Sequence, residues 1–530
     1  MAIGIPRFAR DCEKTKEPMN DLAYNLIHRF NVGDVLRRSA ARFPQKRAIH
    51  FMGRELTYAE LDALANRMAR KLMASGVGRG DSVAIFSTNS PEYVAVFFGC
   101  ARIGAALVPI NFMFTPEDVA YVLGKTRVKT LLMEPAFQAK VSSPPATCFV
   151  LDDKFRDSLN EQDGSAVEQF VESDSTHLII FTSGTTAKPK GVVLTHLNFY
   201  AYLMASYADY GGDRTIKFLL ALPMFHIAGL VMTFGCFASG CESVILPLPK
   251  PDQIIHAIAV QKVSCISLPA TVWVGLISMP LIEAMDLSSL RRLFVFQYLP
   301  TPVFQRWRRI APNAEWINCW GQTETTALGS TTPAAELGRM LAAPDPIGVQ
   351  HFLLELRIVD DEMNDVEPGK PGEIVLRGPC VSPGYFEDPQ ANEALTRGGW
   401  HHTGDVARAD ENGWLYFLDR KKDMIKSGGE NVSSQEVEEA IAQHPSVAEV
   451  AVIGLHDPYW IEKVVACVVP MPGKQVNEEE LMAYARVKLA SFKVPKQIHI
   501  MSEFPKNPTG KVLKRVLRQQ LDGGSAGTGQ

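Results

Sequence analysis

Apolar positions recur at helical spacing along Thr57–Met73, where Leu61, Leu64, Met68 and Leu72 line one face. Gly76 and Gly78 follow and stop that helix. The pattern then changes to short apolar runs. Ser82–Phe86 reads as a buried strand, Pro91 opens a helix that runs to Gly104, and Ala106–Pro109 reads as the next strand. Strands alternating with helices predict βαβ units and parallel pairing. Further strands are expected at Leu178–Phe181, Val192–Leu194, Leu219–Pro223 and Trp414–Leu418, and a helix at Ser434–Gln443. The most apolar window, Leu230–Leu248, contains Glu242, two glycines and a proline, so it reads as core helix plus strand and not as a membrane span.

A chain of 530 residues is too long for one ordinary core, so several domains or subdomains are expected. Lys+Arg 54 against Asp+Glu 58 gives a net charge of −4, which exerts no global pull on nucleic acid or on an anionic membrane. The nine cysteines are scattered, with no Cys-x-x-Cys pair and no zinc spacing. They read as thiols of a reducing compartment. Residues 1–20 mix charges without an apolar stretch, unlike a secretory leader, so a cytoplasmic location is expected.

The chemistry concentrates in Thr182-Ser183-Gly184-Thr185-Thr186-Ala187-Lys188-Pro189-Lys190-Gly191, a loop between two predicted strands. Glycines let backbone N–H groups approach an anion, hydroxyls add donors and lysines add charge, a combination suited to a polyphosphate. It lacks the Gly-Lys-Ser/Thr end of a Walker loop. An ordinary polar loop is the bland alternative. His226 follows an apolar strand, where a histidine is more often a packed core residue than a catalyst. Asp405, in Trp400-His401-His402-Thr403-Gly404-Asp405, suits either helix capping or a ribose diol, since a carboxylate accepts two hydroxyl hydrogen bonds. Asp419-Arg420-Lys421-Lys422-Asp423 is a charge run, usually just a solvated face, here standing where a linker is expected.

The Thr/Gly/Lys loop closely resembles the phosphate-binding signature of the acyl-adenylate-forming superfamily, and the likeness recurs in order from about Asn31 to Lys511. The branch it resembles is that of the AMP-forming fatty or carboxylic acid–CoA ligases. Trp320-Gly321-Gln322-Thr323-Glu324 is similar to the family's aromatic-Gly-x-Thr-Glu motif, with Trp where Tyr is usual. By resemblance Trp320 and Gly321 border adenine, Thr323 donates to the α-phosphate and Glu324 holds Mg²⁺. Asp405 and Arg420 take the ribose, and Lys422 is the hinge. Lys426, Gly428, Gly429 and Glu430 form the loop that enters for the thioester step, where a pantetheine arm needs close passage. Lys511, in Pro505-Lys506-Asn507-Pro508-Thr509-Gly510-Lys511, completes the adenylation site. His226, at the tunnel mouth and counted among the catalytic candidates, joins Ile227 and Ala228 as acyl-pocket wall.

The fold so implied is α/β: an N-terminal adenylation domain (1–421) of βαβ layers with a distorted β-barrel subdomain, and a small mobile α+β C-terminal domain (422–530). ATP, Mg²⁺, CoA and a carboxylic acid are the implied ligands, with the protein a monomer or homodimer. Phe296-Gln297-Tyr298-Leu299-Pro300 departs from the family's small Gly-Gly-Ala-Pro-like turn. Similar bulky sequences, and Ile425–Ser433, resemble the carnitine/crotonobetaine-CoA ligase branch. Gln297 and Tyr298, with Cys319, Gly321 and Thr326, are therefore expected to shape a compact pocket for a short-to-medium or cyclic acid. A ligase that loads an acyl carrier protein is the alternative, and a non-catalytic nucleotide-binding module a second one. An amino-acid-activating domain is disfavoured because Ile227-Ala228-Gly229-Leu230 offers no acidic anchor for an amine.

Overall fold

The computed structural model describes residues 21–182, 188–280, 282–296, 299, 301–332, 346–506 and 512–522. The chain divides into two compact units, one of residues 1–204 and 212–249, the other of residues 205–211 and 250–530.

The first unit carries the βαβ pattern. The predicted amphipathic helix spans Tyr58–Ala74 and begins with a capping box, Thr57 accepting from the Glu60 N–H and Glu60 reaching back to Thr57. Pro91–Ile103 is buried along its whole length, starts at Ser90, whose side chain accepts from the Tyr93 N–H, and ends at Gly104 in the left-handed region. Phe97 and Phe98 on it are fully buried, each worth about 1.5–3 kcal/mol of apolar burial. Around this helix the strands lie in the order Lys190–Thr195, Thr176–Thr182, Ala106–Pro109, Ser82–Phe86, Thr130–Met133, Thr147–Val150. All neighbours pair parallel except the first two, which form an antiparallel hairpin with Thr182 opposite Lys190. The run Leu230–Leu248 is, as its composition implies, a helix (Ile227–Ser239) and a strand (Glu242–Ile245).

The second unit begins with a parallel set, Cys265–Leu268, Arg292–Val295 and Glu315–Gly321. The antiparallel strands Gly329–Thr331 and Val349–Gln350 continue it. Next comes an open antiparallel sheet of Glu355–Val359, Gly372–Arg377, His401–Ala409 and Leu415–Arg420. Among the described residues this sheet does not close into a barrel. After Arg420 the chain forms the hairpin Ile425–Ser427/Glu430–Val432 and the long pair Val447–Asp457/Ile461–Pro470. Helices Ser434–Ala442 and Glu478–Lys488 share an apolar core with these strands. Ser433 caps the first of them by accepting from the Glu436 N–H at 3.0 Å.

Among the described residues no helix is long and apolar enough to cross a membrane, and no disulfide is present.

Candidate active site

The second unit gathers one group of the candidate residues. Trp320 and Gly321 end the Glu315–Gly321 strand, and a tight turn follows in which Thr326 and Ala327 both have positive φ (53° and 60°). Two successive non-glycine residues in that region are uncommon and mark a backbone fixed by its surroundings. The Thr325 hydroxyl accepts from the Gln322 N–H at 3.1 Å, and the Thr326 hydroxyl donates to the Cys380 carbonyl at 2.7 Å. Thr323 is buried in this turn.

Asp405 stands on His401–Ala409, directly opposite Arg420 on the neighbouring strand. Its carboxylate is met from three sides. The Trp320 indole N–H donates to Oδ2 at 3.0 Å, the Gln322 amide donates to the same oxygen at 2.9 Å, and Arg420 Nε lies 2.7 Å from Oδ1. The second N–H of the Gln322 amide donates to the Thr403 carbonyl at 2.8 Å. The Asp405 side chain is 0% exposed and that of Arg420 is 37% exposed. Arg420 is thus the outer member of the set. The Trp320 ring packs on the apolar core of Ile347, Ile358, Ile374, Leu376, Ala407 and Leu415. Gly329 makes room for it: a Cβ there would lie 2.4 Å from indole carbons.

Glu324 presents Oε1 to the Tyr385 hydroxyl, which donates at 2.9 Å. Burial, with the Glu324 charge adding to it, pushes the Tyr385 phenol above its usual range, so it remains a donor. Cys319, one register position from Trp320, lies on the opposite face of its strand. It faces Tyr210, whose hydroxyl is 3.2 Å from the sulfur, and Thr331. Burial pushes that thiol up to about 11. Tyr210 also bonds the Thr331 hydroxyl, and Asp209 bonds the buried His351 ring.

Beyond Lys422, which is exposed, the expected thioester loop is a tight hairpin. Ser427 pairs with Glu430, and Gly428 and Gly429 between them have φ of 62° and 87°, a conformation that favours glycine. Gly428 N–H donates to the Trp460 carbonyl at 2.8 Å, and Lys426 and Glu430 are exposed. Asp419 reaches across Lys422: its Oδ2 accepts from the Ser434 N–H and hydroxyl, each at 2.6 Å.

The remaining described candidates belong to the first unit. Thr182 and Lys190 face each other across the hairpin, and Lys188 lies 5.1 Å from the centre of the Tyr121 ring. His226 is the N-cap of Ile227–Ser239, its Nδ1 accepting from the Ala228 N–H at 3.3 Å. Ile227 and Ala228 are buried. Ser183, Gly184, Thr185, Thr186, Gln297, Tyr298 and Lys511 lie outside the described residues.

Gln322 and Tyr385 were not singled out in the sequence. Gln322 occupies the variable position of its motif, and no pattern marks Tyr385, which is 61 residues from Glu324 in the chain.

Asp405 is thus a buried carboxylate ringed by an indole, an amide and a guanidinium. Residues 36–386 match the AMP-binding enzyme domain and residues 436–511 the AMP-binding enzyme C-terminal domain, and the chain belongs to this family. It is similar to an indoleacetate–CoA ligase of Aromatoleum aromaticum, with 34% identity over 91% of this chain and 96% of that protein. A feruloyl-CoA synthase of an Amycolatopsis species is 32% identical over 91% of this chain and 98% of that protein. Among solved structures, an anthranilate CoA ligase in complex with anthranoyl-AMP superposes with a TM-score of 0.86 at 26% identity, covering 94% of this chain and 98% of that one. Within the adenylate-forming superfamily the chain falls in the acyl-CoA synthetase branch.

Proposed function

We propose that the chain activates a compact aromatic or cyclic carboxylic acid as its acyl-adenylate, releasing pyrophosphate from ATP, and then transfers the acyl group to the thiol of CoA. The observation that carries this reading is the Asp405 carboxylate held among Trp320, Gln322 and Arg420, in a chain that aligns over 91% of its length with acid–CoA ligases. The acid class rests on those relatives, whose named acids are aromatic.

The physical obstacle is charge. ATP and the acid are both anionic, so the site must supply cations where charge develops. Lys511 bridges the acid's carboxylate and the α-phosphate, aligning the attacking oxygen and stabilising the transition state together. Thr182 to Lys190 cradle the outgoing phosphates, Thr323 donates to the α-phosphate, and Trp320 stacks on adenine. Asp405 and Arg420 bind ribose. Glu324 would hold magnesium: its carboxylate, with Oε1 accepting from the Tyr385 hydroxyl, is a hard oxygen donor, and this ion commonly takes one or two carboxylates plus phosphate oxygens. Bound there, the ion would offset phosphate charge. For the second step the segment beyond Lys422 turns, withdrawing Lys511 and bringing in the Gly428–Gly429 hairpin. His226, Ile227 and Ala228, with Gln297, Tyr298, Cys319 and Thr326, bound the acyl group. The division at Lys422, into residues 1–421 and 422–530, belongs to this reading, as do a cytoplasmic location and a monomeric or homodimeric state.

A panel of aromatic, short-chain and long-chain acids, assayed for pyrophosphate release with Mg²⁺ and ATP, with and without CoA, tests this. Turnover with aromatic acids that requires CoA is expected. One equivalent of pyrophosphate that CoA does not restart would move the acceptor to a carrier protein. High activity on palmitate alone would overturn the acid class.

A further inference from the structure

Asp405 is the residue that the proposed function gives to ribose, yet its side chain is 0% exposed. No sugar hydroxyl can reach it until one of the side chains around it gives way. The three differ in how firmly they are placed. Arg420 is the outer one, 37% exposed, with its Nε 2.7 Å from Oδ1. The other two meet at Oδ2. Trp320 is fixed by its apolar bed and by the room left at Gly329. Gln322 is fixed at both ends: its backbone N–H is tied to the Thr325 hydroxyl, and its amide bridges Thr403 O and Asp405 Oδ2. Those last two acceptors flank Gly404, whose φ of 66° makes a kink in the strand. The Asp405 N–H in turn donates to the Thr403 hydroxyl at 3.1 Å. The amide therefore clips both sides of the kink that presents the carboxylate.

We propose that Gln322 is a positioning residue for nucleotide binding: with Trp320 it holds Asp405 by Oδ2, so that Oδ1, covered by Arg420, is the oxygen given over to a ribose hydroxyl. The inference rests on the reading of Asp405 as the ribose carboxylate. A carboxylate with two oxygens can turn about its Cβ–Cγ bond. Two N–H donors converging on one oxygen remove that freedom, and orienting an acceptor beforehand lowers the entropy spent on binding. Arg420 is the one of the three already bordering solvent, so it can turn outward while a ribose hydroxyl takes its place at Oδ1 and keeps the buried charge partnered.

The test is calorimetric, on the full chain with excess Mg²⁺ and no acid present. ATP, 2′-deoxy-ATP and 3′-deoxy-ATP are titrated into the unaltered protein, Gln322→Met and Trp320→Phe. Methionine keeps the length of glutamine without its donors. Phenylalanine keeps an aromatic face without the indole N–H. The unaltered protein is expected to prefer ATP over at least one deoxy analogue by about tenfold. Gln322→Met should weaken ATP by about tenfold and bring the preference close to unity, since a turned carboxylate no longer distinguishes the sugars. Trp320→Phe should shift the preference in the same direction, which keeps the test alive if Gln322→Met does not fold. A preference that survives Gln322→Met, with affinity kept or with all three nucleotides weakened equally, overturns the positioning role. An unaltered protein that binds all three nucleotides alike overturns the ribose reading of Asp405 itself, and the proposal with it.

Discussion

Two fully buried histidines make acid stability a sharp test of the first unit's core. His177 on Thr176–Thr182 and His196 at the start of His196–Tyr210 stack with ring centres 5.0 Å apart and planes 17° apart. Phe97 and Phe199 pack edge-on against His177. His196 Nδ1 accepts from the Val32 N–H at 3.1 Å. Among the described residues no hydrogen-bond partner meets either nitrogen of His177 or Nε2 of His196. Burial, with Arg29 nearby, lowers His196 to about 3, and burial together with His196 lowers His177 well below its usual value. The sign follows from proton uptake. The unfolded chain binds a proton near pH 6.5, while folded His196 resists until about pH 3, so stability is intact above 6.5 and is lost as pH falls through that window. At pH 5 the window has been crossed by about 1.5 units, or about 2 kcal/mol from His196. For a unit of this size that is a fall in Tm of about 4–8 °C between pH 7 and pH 5. His196→Asn retains an acceptor near the Nδ1 position and removes the titration. Its Tm at pH 7 will be lower, because a ring-sized void opens beside His177. What matters is the fall from pH 7 to pH 5, read by thermal melting of both proteins. It should be smaller in His196→Asn by several degrees. Equal falls in the two proteins would refute the reasoning.

Three further outcomes follow from the site. Lys511→Ala should slow adenylate formation on the order of 10²–10³-fold while sparing thioester formation from supplied acyl-adenylate; Gly429→Leu, at a φ of 87°, should do the reverse, and parallel loss of both half-reactions in both variants would rule out two alternating arrangements. Glu324→Gln should lower pyrophosphate release on the order of 10²-fold and raise the Mg²⁺ concentration at half-maximal rate, which an Mg²⁺ titration checks; Tyr385→Phe should have a smaller effect in the same direction. Gly329→Ala puts a methyl 2.4 Å from the Trp320 ring, so it should cost about 1–3 kcal/mol of stability and weaken ATP binding, measured by melting and calorimetry; unchanged ATP affinity would mean that Trp320 is not part of the nucleotide site.

Much of the architecture was legible along the chain because it is set locally. The helix from Tyr58 needs only its 3.6-residue apolar repeat and the Thr57–Glu60 cap. The hairpin of Thr176–Thr182 and Lys190–Thr195 needs only two apolar runs with a polar, glycine-containing stretch between them. The Gly428–Gly429 turn is likewise written in its two glycines, the one residue type at ease with that φ. Trp320, Glu324, Asp405 and Arg420 were singled out as candidates along the chain because the motifs that carry them resemble those of the family.

The tertiary structure alone decided which of these side chains meet. Trp320 and Asp405 are 85 residues apart, and the sequence carries stacking as the role of the indole, not an N–H bond to a carboxylate. Gln322 gains its place because the His401–Ala409 strand kinks at Gly404 and brings Thr403 and Asp405 within reach of one amide. Tyr385 reaches Glu324, and Asp419 reaches Ser434 across Lys422, through pairings that no local pattern encodes. Local chain statistics fix elements, since these depend on neighbours a few residues away. Burial, donor geometry and the covering of a carboxylate depend on strands brought together from distant parts of the chain, and these exist only once the sheets are assembled.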